Sequence, residues 1–144
     1  MILRRANNAD ADIILKWRND DSTRANSFST EIIKWEDHIK WFEKKLGDEN
    51  CLMLIAEDAG RAVGSIRLDM FGNIGEISYM IAPEERGQGY GREILKLLEK
   101  ELPQRVKVLT GIVRKSNQPS VKCFSNNCYT MLEAEDTVFF VKTV

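Results

Sequence analysis

EISYMIAPEERGQGYGREILKLLEKEL, residues 76–102, decides the fold of this chain. It reads as a strand end, a glycine-rich turn and an amphipathic helix. Ile77, Tyr79 and Ile81 alternate with Ser78 and Met80, the two-residue period of a strand. Pro83 has no N–H to give to a ladder, so the strand stops there. Gly87, Gly89 and Gly91 fall within five positions. They let the backbone turn sharply and let a ligand approach without a Cβ in the way. The next helix carries Ile94, Leu95, Leu97, Leu98 and Leu102 on one broad face, with Lys96, Glu99 and Lys100 away from it. Its first N–H groups open directly out of the turn, which makes an anion site suited to phosphate.

The two familiar nucleotide loops fit badly. A P-loop needs Gly-Lys followed by Ser or Thr, and Gly91 is followed by Arg92 and Glu93. A dinucleotide fingerprint needs a later glycine, and position 92 is not one. Arg86-Gly87-Gln88-Gly89-Tyr90-Gly91 instead resembles the acetyl-CoA loop of the GNAT N-acetyltransferase family, Arg/Gln-x-x-Gly-x-Gly/Ala. The strand before, the Pro-Glu ahead of the arginine and the helix after extend the resemblance. The bland alternative is a glycine-rich connection without a ligand.

At 144 residues the chain is long enough for one domain with a real core, residues 1–144. Hydrophobic residues make up 43% and charged residues 30%, an ordinary water-soluble balance. A net charge of −1 gives no reason to expect nucleic acid or an anionic membrane as a partner. No apolar run approaches membrane-spanning length, and Met1-Ile2-Leu3 meets Arg4-Arg5 without a signal-peptide pattern. Cys51, Cys123 and Cys128 have no metal spacing, and the single histidine, His38, is far from them in sequence. Free thiols, no metal and a cytoplasmic location are the expectation.

Outward from the quoted stretch, the spacing predicts a strand at 2–5 and a helix over 9–18, with Asn7, Asn8 and Asp10 available as caps. Residues 20–31 are rich in Ser, Thr, Asn and Asp and read as a loop. Trp35, Ile39, Phe42 and Leu46 recur at helical spacing over 34–46, with His38 and Trp41 at the edge of that stripe. Three antiparallel strands follow from Cys51, with turns at 57–61 and 69–75. A strand over 105–113, a short helix from Asn117 and a terminal strand pair at 129–133 and 137–142 complete the chain. The order is β-α-α-β-β-β-α-β-α-β-β. It resembles the GNAT layout over the full length, which implies an α/β fold with a mixed, mostly antiparallel central sheet and helices on both faces. The resemblance also implies that the strand before the glycine loop and the strand after its helix splay apart, with the donor acetyl-CoA in the gap.

Acetyl transfer from a thioester needs the donor held, its carbonyl polarised, the amine deprotonated and the thiolate stabilised. Holding falls to Arg86, Gly87, Gln88, Gly89, Tyr90 and Gly91. The resemblance places the carbonyl donor at a backbone N–H near Met80 or Ile81. Glu76 is a candidate base, directly or through water, against a solvated carboxylate as the bland alternative. His38 suits proton transfer near neutrality but sits among tryptophans, where packing is the commoner role. Asn117, Ser120 and Phe124 resemble the family's second cofactor motif, Asn-x-x-Ser/Ala-x-x-x-Tyr. Phe124 stands where the family's tyrosine assists the leaving thiolate. That role passes to another group such as Tyr79 or Tyr129, or the thiolate leaves unassisted.

The amino-terminal third is expected to choose the acceptor. Trp17-Arg18-Asn19-Asp20, Arg24 and the His38-x-x-Trp41-Phe42 pattern look like the subgroup that acetylates nucleotide-linked amino sugars for surface polysaccharides. Trp17, Arg18, Asn19, Arg24 and His38 are therefore the candidate acceptor residues, with helix packing as the alternative for the aromatics. Other acceptors are a ribosomal-protein N-terminus or a small amine. Outside enzymes the alternative is a non-catalytic CoA-binding regulator. A homodimer is left open.

Overall fold

Asn7 and Asp10 build a reciprocal cap: the Asn7 side chain accepts from the Ala9 N–H, and Asp10 accepts from the Asn7 N–H at 2.8 Å. That cap launches a 3₁₀ turn at Asn8–Asp10 and then α1 (Ala11–Arg18) in the computed structural model, which describes residues 1–144. β1 (Ile2–Arg5) precedes it. After α1 come α2 (Asp21–Asn26), α3 (Trp35–Leu46), β2 (Cys51–Asp58), β3 (Arg61–Phe71) and β4 (Ile74–Ile81). A second 3₁₀ turn, Pro83–Glu85, leads to α4 (Tyr90–Leu98), β5 (Val108–Arg114), α5 (Gln118–Asn126), β6 (Thr130–Glu133) and β7 (Thr137–Thr143).

The seven strands form one sheet in the order β1-β2-β3-β4-β5-β7-β6. Every neighbouring pair is antiparallel except β4 with β5. Strand alternation sends side chains to two cores. Ile66, Leu68 and Ile77 meet Ile94, Leu95 and Leu98 of α4 and Phe124 of α5 on one face. Met53 and Ile55 meet Ile14 and Trp17 of α1 and Phe42 of α3 on the other. Each such side chain removed from water contributes roughly 1.5–3 kcal/mol. The mixed sheet with helices on both faces is the one the family resemblance implies.

Residues 20–31 depart from the expected loop. Asp20 accepts from the Thr23 N–H at 3.1 Å and caps α2, a six-residue helix with no buried side chain. Nothing apolar recurs along it, so periodicity could not announce it; its cap and its contacts with neighbouring elements hold it. The stripe of α3 is also rotated from the expected one. His38 and Phe42 are fully buried, whereas Trp35 is 43% exposed. Leu97 of α4 is half-buried rather than part of the core. The middle strands run further than predicted, and the second hairpin turns at Gly72-Asn73.

The parallel pair is short. β4 and β5 pair only from Ile74 with Val108 to Ile77 with Gly111. Beyond that, Ser78–Ile81 and Ile112–Arg114 part company, while β4 stays on β3 and β5 stays on β7. Gly111 marks the split: a Cβ there would lie 2.5 Å from the Phe124 ring.

Candidate active site

The glycine turn is an array of free amides. No N–H from Gly87 to Arg92 has a hydrogen-bond partner within the protein, and the first helical bond runs from the Glu93 N–H to the Gly89 carbonyl at 3.2 Å. Gly87 and Gly89 have φ of +79° and +85°, and a Cβ at either would meet nothing within 4 Å. Left-handed backbone at both positions keeps the concavity open. Gly91 serves a different purpose. A Cβ there would lie 2.9 Å from the Cys123 sulfur, so this glycine lets α4 and α5 approach. Gln88 turns back to Glu85, and the buried Tyr90 hydroxyl donates to Asp58, so both offer the turn only their amides. Arg92, Lys96 and Lys100 line a groove of about 450 Å³ beside Gly89, cations the sequence reading passed over because they sit on the polar face of α4. The turn and groove fit a pyrophosphate-bearing donor.

Arg86 is not free at this turn. Its Nη2 donates to Asp20 at 3.0 Å and to the Thr23 hydroxyl at 2.9 Å. Its Nε and Nη1 have no partner in the structure.

The splay decides which amide can polarise a carbonyl. The Ala82 N–H bonds to the Val63 carbonyl at 2.8 Å, so alternation turns the Met80 N–H to β3 as well. Met80 is thereby corrected: its backbone serves the ladder and its side chain packs against the α1–α3 core. Ile81, and Tyr79 before it, point their N–H groups into the gap. Phe124 is corrected too. It is 2% exposed, stacks on Phe140 at 4.7 Å and meets Tyr129 edge-on at 5.0 Å, so it belongs to the core and touches no ligand space.

A hydroxyl reaches the α5 side of the gap from the opposite strand. The Tyr79 Oη lies 2.9 Å from Ser120 Oγ, and its ring borders Gly91. Burial, and then the neighbouring Cys123, hold this phenol well above its ordinary range, so it stays protonated at any working pH. Tyr129 is no substitute, because its buried hydroxyl lies near Glu99, about nine residues or ~13 Å along α4 from the turn. Asn117 stands before α5, and its side chain makes no capping bond.

On the α1–α3 face, most candidate acceptor residues prove structural. Trp17 is 1% exposed in the core. Asn19 grips both the N–H and the carbonyl of Ile33, at 2.8 and 2.9 Å. Arg24 binds the Asn19 and Thr30 carbonyls and Asp21. His38 donates from Nε2 to the Ala11 carbonyl at 2.8 Å and accepts at Nδ1 from Arg18 at 3.0 Å, so neither ring nitrogen is available as a base.

Burial, with Arg18 adding to it against the Ala11 carbonyl and Asp12, holds His38 below its usual pKa. Below pH ~6.5 the unfolded chain takes up a proton that the folded one refuses. Stability from this group is therefore complete above that pH and lost as pH falls. Thermal melts between about pH 7.5 and 5.5 are expected to show a falling Tm, and His38→Gln, which keeps a donor for Ala11, should flatten that slope.

Arg18 remains. Its guanidinium lies 4.0 Å over the Trp41 ring, and Arg67 from β3 lies 5.0 Å over the same ring. Arg67 donates to Asp69 and Ser78. Arg18 has no carboxylate partner, and burial followed by repulsion from Arg67 brings its pKa to about 10. Glu76 lies on this face opposite Asp69. Asp69 is paired with Lys45 and Arg67, whereas Glu76 is half-buried without an ion pair. Arg67 escaped the sequence reading because only strand register brings it beside Ser78 and Trp41.

A sheet split behind an amide-lined turn, with a hydroxyl on its α5 side and cations along the groove of α4, is the architecture of a phosphate-anchored acyl transferase. The chain belongs to the acetyltransferase (GNAT) family, whose sequence profile matches residues 12–128, and it is an N-acetyltransferase. An acetyltransferase of Yersinia enterocolitica is 29% identical over 133 residues, 91% of this chain and 86% of that one. The spermidine N-acetyltransferase of Vibrio cholerae, solved with CoA and spermine, superposes with a TM-score of 0.88 at 16% identity, covering 99% of this chain and 94% of that one. The ribosomal-protein-alanine N-acetyltransferase of Brucella melitensis gives 0.83 at 22% identity, with both chains fully covered. No group of three or more His, Cys, Asp or Glu side chains is placed to hold a metal ion, and no helix is long and apolar enough to cross a membrane.

Proposed function

We propose that this chain moves the acetyl group of acetyl-CoA to a primary amine on a nucleotide-linked amino sugar, directly, with both substrates bound. The observation that carries the acceptor class is Arg18, a half-buried cation stacked on Trp41 without a carboxylate. A buried unpaired charge is costly, and an anionic group on the acceptor would relieve it. A nucleotide diphosphate supplies that group. A polyamine, the ligand class solved in the Vibrio cholerae protein, would bring further positive charge to Arg18 and Arg67.

In the proposed reaction the amine nitrogen attacks the thioester carbon while the Ile81 N–H donates to the oxygen on which charge builds. The C–S bond breaks, and Tyr79 donates a hydrogen bond to the departing sulfur. The amine proton goes to Glu76. Three to five residues of extended strand, ~10–16 Å, separate Glu76 from the gap-facing amides, so this transfer runs through water.

Mass spectrometry of a panel of nucleotide amino sugars, polyamines and ribosomal N-terminal peptides with acetyl-CoA tests the acceptor. Acetylated nucleotide sugar is expected. Arg18→Ala should raise its KM about 10-fold or more, as for a lost charge-assisted hydrogen bond, and leave the acetyl-CoA KM alone. An acetylated peptide or polyamine beside untouched nucleotide sugars overturns the acceptor, and no turnover of any amine returns the chain to a CoA-binding regulator.

A further inference from the structure

α2 spans the mouth of the split sheet and is tied down on both sides. On the donor side, Asp20 and Thr23 hold Nη2 of Arg86 at the entrance to the glycine turn. On the far side, the Arg114 Nε at the end of β5 donates to the Ser27 carbonyl at 2.9 Å, and its guanidinium covers Phe28 at 5.0 Å. Arg24 and Asn19 further fasten the segment to Thr30 and Ile33. The wall of the acceptor side is thus bolted to the glycine turn that follows β4 and to the end of β5, on the two sides of the donor gap.

Arg86 carries the donor-side contact in an informative way. Only Nη2 is held, by Asp20 and Thr23, while Nε and Nη1, on opposite sides of the guanidinium, each keep an N–H without a partner near the free amides of Gly87–Arg92. A guanidinium held at one nitrogen keeps its plane fixed and spends less rotamer freedom when an oxyanion accepts from one of the remaining N–H groups.

We infer that Asp20 and Thr23 are positioning residues: they orient Arg86 for a phosphate oxygen of the donor and, through the same contact, couple donor binding to the seating of the acceptor-side segment 20–28. The inference rests on the glycine turn being the acetyl-CoA cradle. Donor binding stiffens the segment because the bound phosphate immobilises the arginine that the segment grips.

Asp20→Asn isolates the ion pair, since asparagine caps a helix as well as aspartate does and α2 keeps its start. Calorimetric titration with acetyl-CoA is expected to give a Kd raised about 5- to 10-fold in Asp20→Asn, the range for a weakened charge-assisted contact, and a smaller rise in Thr23→Val. In an Arg86→Gln background, Asp20→Asn should add less than about 2-fold, because the two changes remove one interaction. Hydrogen exchange supplies a readout that packing alone would not move. Acetyl-CoA should slow amide exchange across residues 20–28 in the parent chain and not in Asp20→Asn. Gly89→Asp tests the cradle separately from the coupling: if it binds acetyl-CoA normally, the cradle itself is wrong. If Gly89→Asp fails to bind while Asp20→Asn binds as tightly as the parent, or still protects 20–28, the coupling is overturned and the cradle stands.

Discussion

Gly89→Asp is expected to raise the KM for acetyl-CoA by about 100-fold in a protein that still folds. A Cβ at Gly89 meets no atom within 4 Å, so no protein contact opposes the new side chain. The residue's φ of +85° is left-handed, a region aspartate tolerates better than most residues, and the conformational cost is ~1–2 kcal/mol at most. What changes is the ligand's space. The carboxylate would stand among the free amides of Gly87–Arg92, where two unit charges ~4 Å apart repel by about 4 kcal/mol at an effective dielectric near 20. Screening by water at this exposed turn lowers that to the ~2.7 kcal/mol of a 100-fold loss. Steady-state kinetics in acetyl-CoA and a thermal melt check the two halves. Gly89→Ala, with the strain and without the charge, should lose far less; an unchanged KM in Gly89→Asp would remove the cradle.

The second large effect is expected at the sulfur. Tyr79→Phe should lower kcat by roughly 10- to 100-fold, the worth of a hydrogen bond to a developing anion, and leave the acetyl-CoA Kd within a factor of about two. Phe124 supplies no hydroxyl from α5, and Tyr79 brings one to the same wall from β4, 2.9 Å from Ser120. If Ser120 donates to Tyr79, the phenolic proton is left for the sulfur. The phenol's raised pKa suits it to donate a hydrogen bond rather than to surrender its proton outright. Stopped-flow measurement of thiol release alongside calorimetry separates the step from binding. Glu76→Gln is the comparison: both variants lose kcat, but only Tyr79→Phe should regain rate with an acyl donor whose thiol is more acidic. A Tyr79→Phe enzyme at full rate would mean an unassisted thiolate.

The residues that were legible in sequence are those whose work is local. Gly87 and Gly89 declare a left-handed turn because no other residue adopts it cheaply, and Pro83 declares the strand end for want of an N–H. The helix after them is visible because Ile94, Leu95 and Leu98 repeat at its period. Hence the glycine turn, the order of elements along the chain and the resemblance that names the family were legible in the chain itself. α2 escaped because a six-residue polar helix has no period to read, and His38 was misplaced because its burial comes from α1, which contributes the Ala11 carbonyl and Arg18.

By itself, then, the stretch from Glu76 to Leu102 determined the strand, the turn and the helix, since backbone geometry and hydrophobic period act over a few residues. Tertiary structure alone decided the chemistry around it. Ladder alternation turned the Met80 amide to β3 and left Ile81 facing the gap. Packing took Phe124 into the core while Tyr79 reached Ser120 across 41 residues. Arg86 met Asp20 across 66 residues, and Arg18 met Arg67 over Trp41. Each of these depends on distances between elements distant in sequence, which no local pattern encodes.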